Sequence, residues 1–464
     1  MTDTKSLEDY SNDLNFIFSE ISNWNLNFEK LKDAPANQRL VEDIGIFCSL
    51  GRSKKRGELF MGRKAEERLS KLCKKILHQY RETNSISAHT FKRIFSQTFI
   101  DKAVDPDQTP QGNFDGCLVE IINESLRSAR GLKTDSTHFF PVNLRLEDAP
   151  DCIEFGPFSI QKMLHFQRRN PDMFSETRIK GEHDFLGLAD KYFSKFDTIL
   201  EVSLKARESD FADDLAEKTA LAALDCLHLL IGGTYTTDLK LAGSPPSPID
   251  QSRLKRDSNQ VLQASQMLQF TSNVVLENWW KGHSNTWGQT DPIPLMGEAI
   301  DRSVVQGLPN PSARRFLDAA AWYRDGVVDR YAPSKIIKFA TAVEHIVCAG
   351  IGSSSDGPTK RFAKRAKALI QILGIENNDN LNFDFKEFYD NRSDLVHGRK
   401  SNSIQNWEAA AVRAESHARW ALLGGLVFYS TNNGFHQEVG TNVTFEQAFD
   451  TLVKWSIDGA MKPD

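Results

Sequence analysis

The chain has 464 residues, long enough for about two or three domains of ordinary size. Its 40% hydrophobic and 26% charged residues are ordinary for a soluble globular protein, and no run approaches the ~18 apolar residues that cross a bilayer. The net charge of −5 argues against a protein basic over its whole surface but leaves room for a local basic groove. The polar start Met1-Thr2-Asp3-Thr4-Lys5 has no apolar core, so no signal peptide is expected. The six cysteines are scattered and none forms a Cys-x-x-Cys. That pattern argues against a zinc ribbon or a disulfide scaffold and for a reduced, cytoplasmic protein, and without a long apolar run no membrane association is expected. Cys226 and Cys348 sit in apolar helical stretches and read as core thiols.

Residues 1–50 open as a helix with Leu14, Ile17, Phe18 and Ile21 on one stripe. In residues 52–93, thirteen Lys and Arg against four Glu leave a net charge of +9. The expected helix there runs from Ala65 to Tyr80. Leu69, Leu72, Cys73, Ile76 and Leu77 form its buried face, and Arg68, Lys71, Lys74 and Lys75 lie opposite. Two readings of that charged face stay open, a solvated helix surface and a phosphate-contacting one. Between about 115 and 206, short β-like runs are expected at Cys117–Ile122, Phe139–Arg145, Cys152–Ile160 and Thr198–Lys205, with a turn or strand edge at Phe155-Gly156-Pro157-Phe158. Asp210 to Leu230 returns to helix. The stretch from Leu241 to Pro248 reads as a linker, a helix is expected from about Lys255 to Trp280, and the Gly/Pro-rich residues 282–311 mark a boundary.

From Pro311 onward the periodicity is almost purely helical. Ser312–Arg330 places Phe316, Ala319, Ala320 and Tyr323 on one face. Ser334 reads as the N-cap of Lys335–Ala349, whose apolar positions are Ile336, Phe339, Ala340, Val343 and Val347. Lys360–Leu373 is basic on one side, at Arg361, Lys364, Arg365 and Lys367, and apolar on the other. Asp384–His397, Trp407–Tyr429 and Phe445–Trp455 complete the series. The expected fold is mainly α with a mixed α+β N-terminal region. Its divisions are a helical region 1–114, an α+β region 115–300 suited to sensing or regulation, a helical domain 311–435 and a C-terminal helix in 436–464.

Within Asp384–His397, the residues Phe385, Phe388, Tyr389, Arg392 and Val396 recur at spacings of three and four. That is a core-facing stripe containing a guanidinium, which needs a partner or a function because an unpaired buried charge is costly. Glu344, in Ala342-Val343-Glu344, is the candidate partner, and a structural ion pair is one reading of Arg392. His397 lies five residues on, ~140° around an ideal helix. Gly398 directly after it is a favoured residue just past a helix end, so the histidine sits where the backbone leaves the helix. Arg399 and Lys400 add positive charge beside the pair.

A fixed cation and a titratable base are what RNA cleavage by internal transesterification needs. A base removes the 2′-hydroxyl proton, an acid protonates the leaving 5′-oxygen, and a guanidinium holds the phosphate as negative charge grows. The Arg-x4-His spacing alone is weak, since 27 Arg and 11 His give about 0.6 chance matches. A second match, Arg178 to His183, contains Gly181 and follows Asn170-Pro171-Asp172, which reads as a loop. One chain offers one prominent His and one Arg of this kind, so the arrangement makes most sense in a homodimer.

The stretch Asn391-Arg392-Ser393-Asp394-Leu395-Val396-His397-Gly398, with Ala342-Val343-Glu344 on an earlier helix, resembles the HEPN superfamily and in particular its ApeA-like ribonucleases. The resemblance covers roughly 311–430. It implies a helical bundle and a metal-independent endoribonuclease with no cofactor, whose two Arg–His motifs pair across a dimer interface. It further implies catalytic roles for Arg392 and His397, supporting roles for Glu344, Asn391, Ser393 and Asp394, and RNA as substrate, with Arg399, Lys400, Arg361, Lys364 and Arg365 as candidate RNA contacts. Such enzymes often act in anti-phage, abortive-infection or toxin systems, so a phage-derived or protein trigger is expected. Where the family often has Asn, Asp or His after the arginine, this chain has Ser393. The competing reading is a catalytically inactive HEPN dimerisation or nucleotide-binding module, in which Arg392 holds a structural ion pair and the N-terminal region does the work.

Overall fold

The computed structural model describes residues 8–21, 47–105, 115–144, 149–171, 193, 195–237, 239–241, 250–256, 262–268, 291–348, 357–374, 384–399, 407–431 and 442–458. The described chain is mostly helical, with its strands confined to the N-terminal part, ahead of residue 269. It divides into two compact units, Met1–Ser136 with Leu204–Asp214 and Thr137–Ser203 with Leu215–Asp464.

In the first unit, helix α1 (8–21) is followed by a hairpin of β1 (Phe47–Ser53) and β2 (Gly57–Gly62) and then by α2 (Arg63–Gln79). The periodicity of α2 is realised: Leu69, Leu72, Cys73, Ile76 and Leu77 are buried, together with Ala65. Helix α3 (Ala88–Phe99) starts where the Ser87 hydroxyl accepts the Thr90 N–H at 2.9 Å, and it runs into a π-helical turn over Ile100–Val104. Helix α4 (Asp115–Arg130) packs on α3. Its first half was expected to be a strand. Leu118, Ile121, Ile122 and Leu126 are buried at helical spacing, a period that a six-residue window is too short to reveal. Phe91, Phe95 and Phe99 lie at the centre of the core, each stabilising it by about 1.5–3 kcal/mol through burial.

For the most part in the second unit, β3 (Thr134–Val142), β4 (Cys152–Glu154), β5 (Phe158–Lys162) and β6 (Thr198–Arg207) form a sheet in the order β3-β6-β5-β4. The single run expected over 152–160 is instead an antiparallel hairpin, because Gly156 adopts φ +99° and Phe155 stacks on Phe158 with ring centroids 4.5 Å apart. A short α5 (Met163–Arg169) follows β5, and α6 (Ser209–Ile231) follows β6. The C-terminal end of α6 is tied to the helices beyond it. Arg419 donates to the Leu229 carbonyl at 3.0 Å, and Glu415 accepts the Gly233 N–H at 3.0 Å.

The helix expected over Lys255–Trp280 is contradicted. β7 (Asp250–Arg256) and β8 (Leu262–Leu268) pair antiparallel, because so few apolar residues per segment fit a strand as well as a helix. The rest of that expected helix, the 242–248 part of the linker and the Arg178 to His183 match lie outside the described residues. The boundary expected over 282–311 is partly helical: α7 (Pro292–Ile300), capped by Asp291, runs into a second π-helical turn at Asp301–Val305. Its earlier residues, through 290, are also outside the description.

The remaining helices are α8 (Pro311–Val328), α9 (Ala332–Val347), α10 (Pro358–Ile372), α11 (Phe385–Val396), α12 (Glu408–Thr431) and α13 (Asn442–Asp458). The long α12 packs on α8, α9 and α10, while α11 packs on α9 and α10. Small residues set these distances. A Cβ on Gly424 would lie 2.2 Å from the Leu369 carbonyl oxygen, and one on Gly326 would lie 2.6 Å from the Phe339 ring. Ser334 does not cap α9, which opens two residues earlier at Ala332. The Ser334 hydroxyl instead donates at 2.6 Å to Asp329, which also takes Lys338 and the Tyr331 N–H. All six cysteines are free; Cys226 is a core thiol as expected, but Cys348 is exposed because α9 ends just before it. No helix among the described residues is long and apolar enough to cross a membrane.

Two outcomes are expected. Gly424→Ala should lower stability by about 3 kcal/mol in denaturant unfolding, because the clashing atom is backbone and cannot rotate away. Burial raises the Asp329 carboxyl, but its Lys338, Ser334 and backbone donors outweigh that and hold it at about 2. Its contribution is then present above the unfolded value near 3.9 and lost as the pH falls towards 2. Asp329→Asn should cost about 2 kcal/mol at neutral pH and progressively less as the pH falls through about 3.9 towards 2, read from urea midpoints across that range.

Candidate functional site

Helix α11 is positioned at both ends and along one face. Asp384 caps it by accepting the Glu387 N–H at 2.8 Å. Phe385, Phe388 and Tyr389 then surround Phe362 of α10, with ring centroids 6.3, 6.0 and 4.8 Å away. The edge of His417 on α12 meets Phe385 at 5.1 Å. These aromatic contacts fix the rotation of α11 and so determine where Arg392 points.

Arg392 meets Glu344 of α9, with Nη2 3.2 Å from Oε2. The pair is partly buried: the two side chains are 25% and 21% exposed. Tyr389, one turn before the arginine, lies with its ring 5.7 Å from the guanidinium carbon and hydrogen-bonds Glu344. Burial and then the Glu344 charge raise the Tyr389 phenol, which therefore stays a neutral donor to the carboxylate. The Arg392 Nε–H is buried and has no acceptor among the described residues, so the guanidinium keeps donor capacity beyond the Glu344 pair.

The helix ends as its glycine implies. Gly398 adopts φ +65°, its N–H reaches the Leu395 carbonyl at 3.4 Å, and the Arg399 N–H reaches the Asp394 carbonyl at 2.8 Å. This is the Schellman arrangement. His397 is the C-cap residue, exposed, and its imidazole has no polar partner among the described residues. Val396 does not extend the core-facing stripe: it is 49% exposed, and Leu395 takes the buried position in this last turn.

The other expected residues separate into two groups. Asn391, Ser393 and Asp394 are half-buried around the arginine on α11, and Asp394 lies 4.0 Å from Arg399. Arg399 and Lys364 are exposed, and Lys400 lies outside the described residues. Arg365 is not an RNA-facing residue. It is 3% exposed, donates to the Val347 carbonyl at 2.7 Å and pairs with Glu446 of α13. Arg361 turns to the same glutamate at 3.9 Å. The reason is the later helix: Glu446 supplies the counter-charge that α10 lacks.

Two residues beside the site were not singled out by their chemistry. Tyr389 was read only as part of the apolar stripe, and its hydroxyl reaches Glu344 through tertiary contact alone. His417 lies on the buried Ala411, Ala414, Ala418 stripe of α12, where spacing was the available signal. Its Nδ1 bonds the Arg413 carbonyl, and burial pushes its imidazole below the usual range. With Asp384, Glu387 and Asn391 it borders a cleft of about 30 Å³.

In the N-terminal unit, the basic segment is distributed over distinct surfaces. Lys54, Lys55 and Arg56 are exposed at the hairpin tip, which is held by the Lys54 N–H on Asp105 at 3.0 Å. Lys92 pairs with Glu66, and Lys71, Lys74 and Lys75 line the outer face of α2.

No protein-family model, no curated protein and no solved structure matches this chain.

Gly398→Ala is expected to lower stability by about 1 kcal/mol through its positive φ alone, since a Cβ there meets nothing within 4 Å. Glu344→Ala should cost more, about 2 kcal/mol, because it strands a partly buried guanidinium. Paired urea unfolding curves give the order.

Proposed function

We propose that the chain is a metal-independent endoribonuclease of the HEPN type, acting at a composite Arg/His site in a homodimer. The observation that carries this reading is the state of the two side chains. Arg392 is oriented by Glu344 and Tyr389 yet, among the described residues, retains an unsatisfied donor, and five residues on His397 presents an imidazole with no partner among them at a helix end. In the proposed reaction one His397 removes the proton from a ribose 2′-hydroxyl, and the oxygen attacks the adjacent phosphorus. The P–O5′ bond breaks, and the second protomer's imidazole protonates the departing 5′-oxygen. The products are a 2′,3′-cyclic phosphate and a 5′-hydroxyl. Arg392 holds the non-bridging oxygens as charge accumulates, a role for which a permanently charged planar fork is suited. Arg399 and Lys364 are exposed cations able to meet flanking phosphates. Asn391, Ser393 and Asp394 support the arginine's turn of helix. An anti-phage or toxin-like role with a phage-derived or protein trigger belongs to the same proposal.

The Arg392–Glu344 pair also favours a second reading, a catalytically inactive HEPN dimerisation or nucleotide-binding module serving a sensing N-terminal region. The two part on one experiment. The protein, His397→Ala and Arg392→Ala are incubated with total RNA in EDTA. Cleavage to cyclic-phosphate ends should persist in EDTA and fall at least a hundredfold in each variant. Equal RNA decay in all three proteins would reject the enzyme and leave the structural pair.

A further inference from the structure

Helix α2 carries an array of positive charge opposite its buried stripe. Lys64, Arg68, Lys71, Lys74 and Lys75 are all exposed. At 100° per residue, positions 64, 68, 71 and 75 fall within about 60° of one another, and position 74 stands beside them. The helix's own carboxylates are already engaged: Glu67 pairs with Arg63 at 3.1 Å and Glu66 with Lys92. Arg68 is shared with Asp13 at 3.8 Å and lies 3.9 Å over the Phe16 ring. Lys64, Lys71, Lys74 and Lys75 have no ionic or hydrogen-bond partner among the described residues.

This arrangement works against the helix itself. Lys71 and Lys75 are one turn apart and repel by about 0.2–0.5 kcal/mol. Arg63 and Lys64 occupy the first turn, where the helix dipole favours negative charge. A merely solvated face would be served as well by interspersed glutamates, in a protein whose net charge is −5. An extended anion relieves both penalties. From Lys64 to Lys75 the array spans about 16 Å at 1.5 Å per residue, long enough to meet several successive phosphates of one strand. A lipid surface fits less well. The apolar residues of α2, Leu69, Leu72, Ile76 and Leu77 among them, are committed to the core, and none remains to enter a headgroup layer.

We propose that the outer face of α2 binds the phosphodiester backbone of a single-stranded nucleic acid, with Lys64, Lys71, Lys74 and Lys75 as the phosphate contacts. The contact reads charge and spacing, not base sequence. It goes beyond the catalytic reading and stands whether or not Arg392 and His397 cleave RNA.

The test is fluorescence anisotropy of the full chain across a KCl series, using a 2′-O-methyl oligouridine and an oligothymidine of equal length. The blocked 2′-hydroxyl prevents internal cleavage, so binding is read apart from catalysis. Each phosphate contact on a single strand contributes about −0.7 to the slope of log affinity against log salt. The triple variant Lys71→Gln, Lys74→Gln, Lys75→Gln should therefore flatten the slope by about 2 and lower low-salt affinity at least tenfold. Its circular dichroism melt should stay at or above that of the parent. A control triple at exposed sites elsewhere, Lys205→Gln, Lys218→Gln and Lys454→Gln, should change neither slope nor affinity. Parallel loss on both oligonucleotides supports a backbone contact common to RNA and DNA; loss on the RNA analogue alone supports the same face with RNA as its source. An unchanged slope in the α2 triple, or an equal loss in the control, overturns the proposal. So does attachment to phosphatidylcholine–phosphatidylserine vesicles without binding either oligonucleotide.

Discussion

The second unit depends on how closely its long central helix α12 can be approached. Where α12 meets α10, Gly424 leaves room for the Leu369 carbonyl that any side chain would displace. Where it meets α9, a Cβ on Gly425 would fall 2.7 Å from Ile346. With Ala411, Ala414 and Ala418 buried further along, α12 presents a smooth surface on which α8, α9 and α10 settle at short range. Helix α11 packs on two of these, and its aromatic residues close around Phe362 of α10. The position of Arg392 is thus a consequence, several contacts removed, of glycines on another helix.

That chain of contacts separates two kinds of cation. Arg365 is enclosed by Glu446, the Val347 carbonyl and the Phe449 ring, so its donors are committed within the fold. Arg392 is held less completely. Glu344 takes one nitrogen, Tyr389 supports the carboxylate, and Nε remains without an acceptor among the described residues. Two arginines on neighbouring helices, each facing a glutamate, differ in what they have left to offer. The difference lies in how many partners the surroundings supply, since guanidinium chemistry is the same in both.

Charge in the N-terminal unit is handled by segregation. Buried acids there are satisfied: Glu82 takes Arg130 at 2.7 Å together with Lys133 and Ser85, and Glu208 accepts the Ser87 N–H at 3.3 Å and the Asp210 N–H at 3.1 Å. Burial raises both carboxyls, and these donors outweigh it, so each lies below its ordinary range. The lysines on the outer face of α2 have no such neighbours among the described residues. The charge balance of the whole chain therefore describes neither surface, because the acidic excess and the basic array occupy different places.

The bundle helices were legible from residue order because each buries one face, and a 3.6-residue period survives in a single sequence when the helix is long. So were the buried stripe of α2, strand β6, and the end of α11 at Gly398, where a left-handed backbone angle demands glycine. Short elements were not legible. The first turns of α4 passed for a strand and the β7–β8 hairpin for a helix, since a few apolar residues fit either period. Ser334 has the chemistry of a cap but serves Asp329, because the chain turns two residues earlier. For the site, the sequence by itself determined that a cation and a titratable imidazole stand five residues apart at a helix end. Only the tertiary structure decided that Glu344 and Tyr389 hold the one, that the other is unpartnered among the described residues, and that Arg365 is enclosed by Glu446. Periodicity records which face of a helix avoids water. Which polar group meets which depends on distances between segments far apart in the chain, and these exist only once the helices have packed.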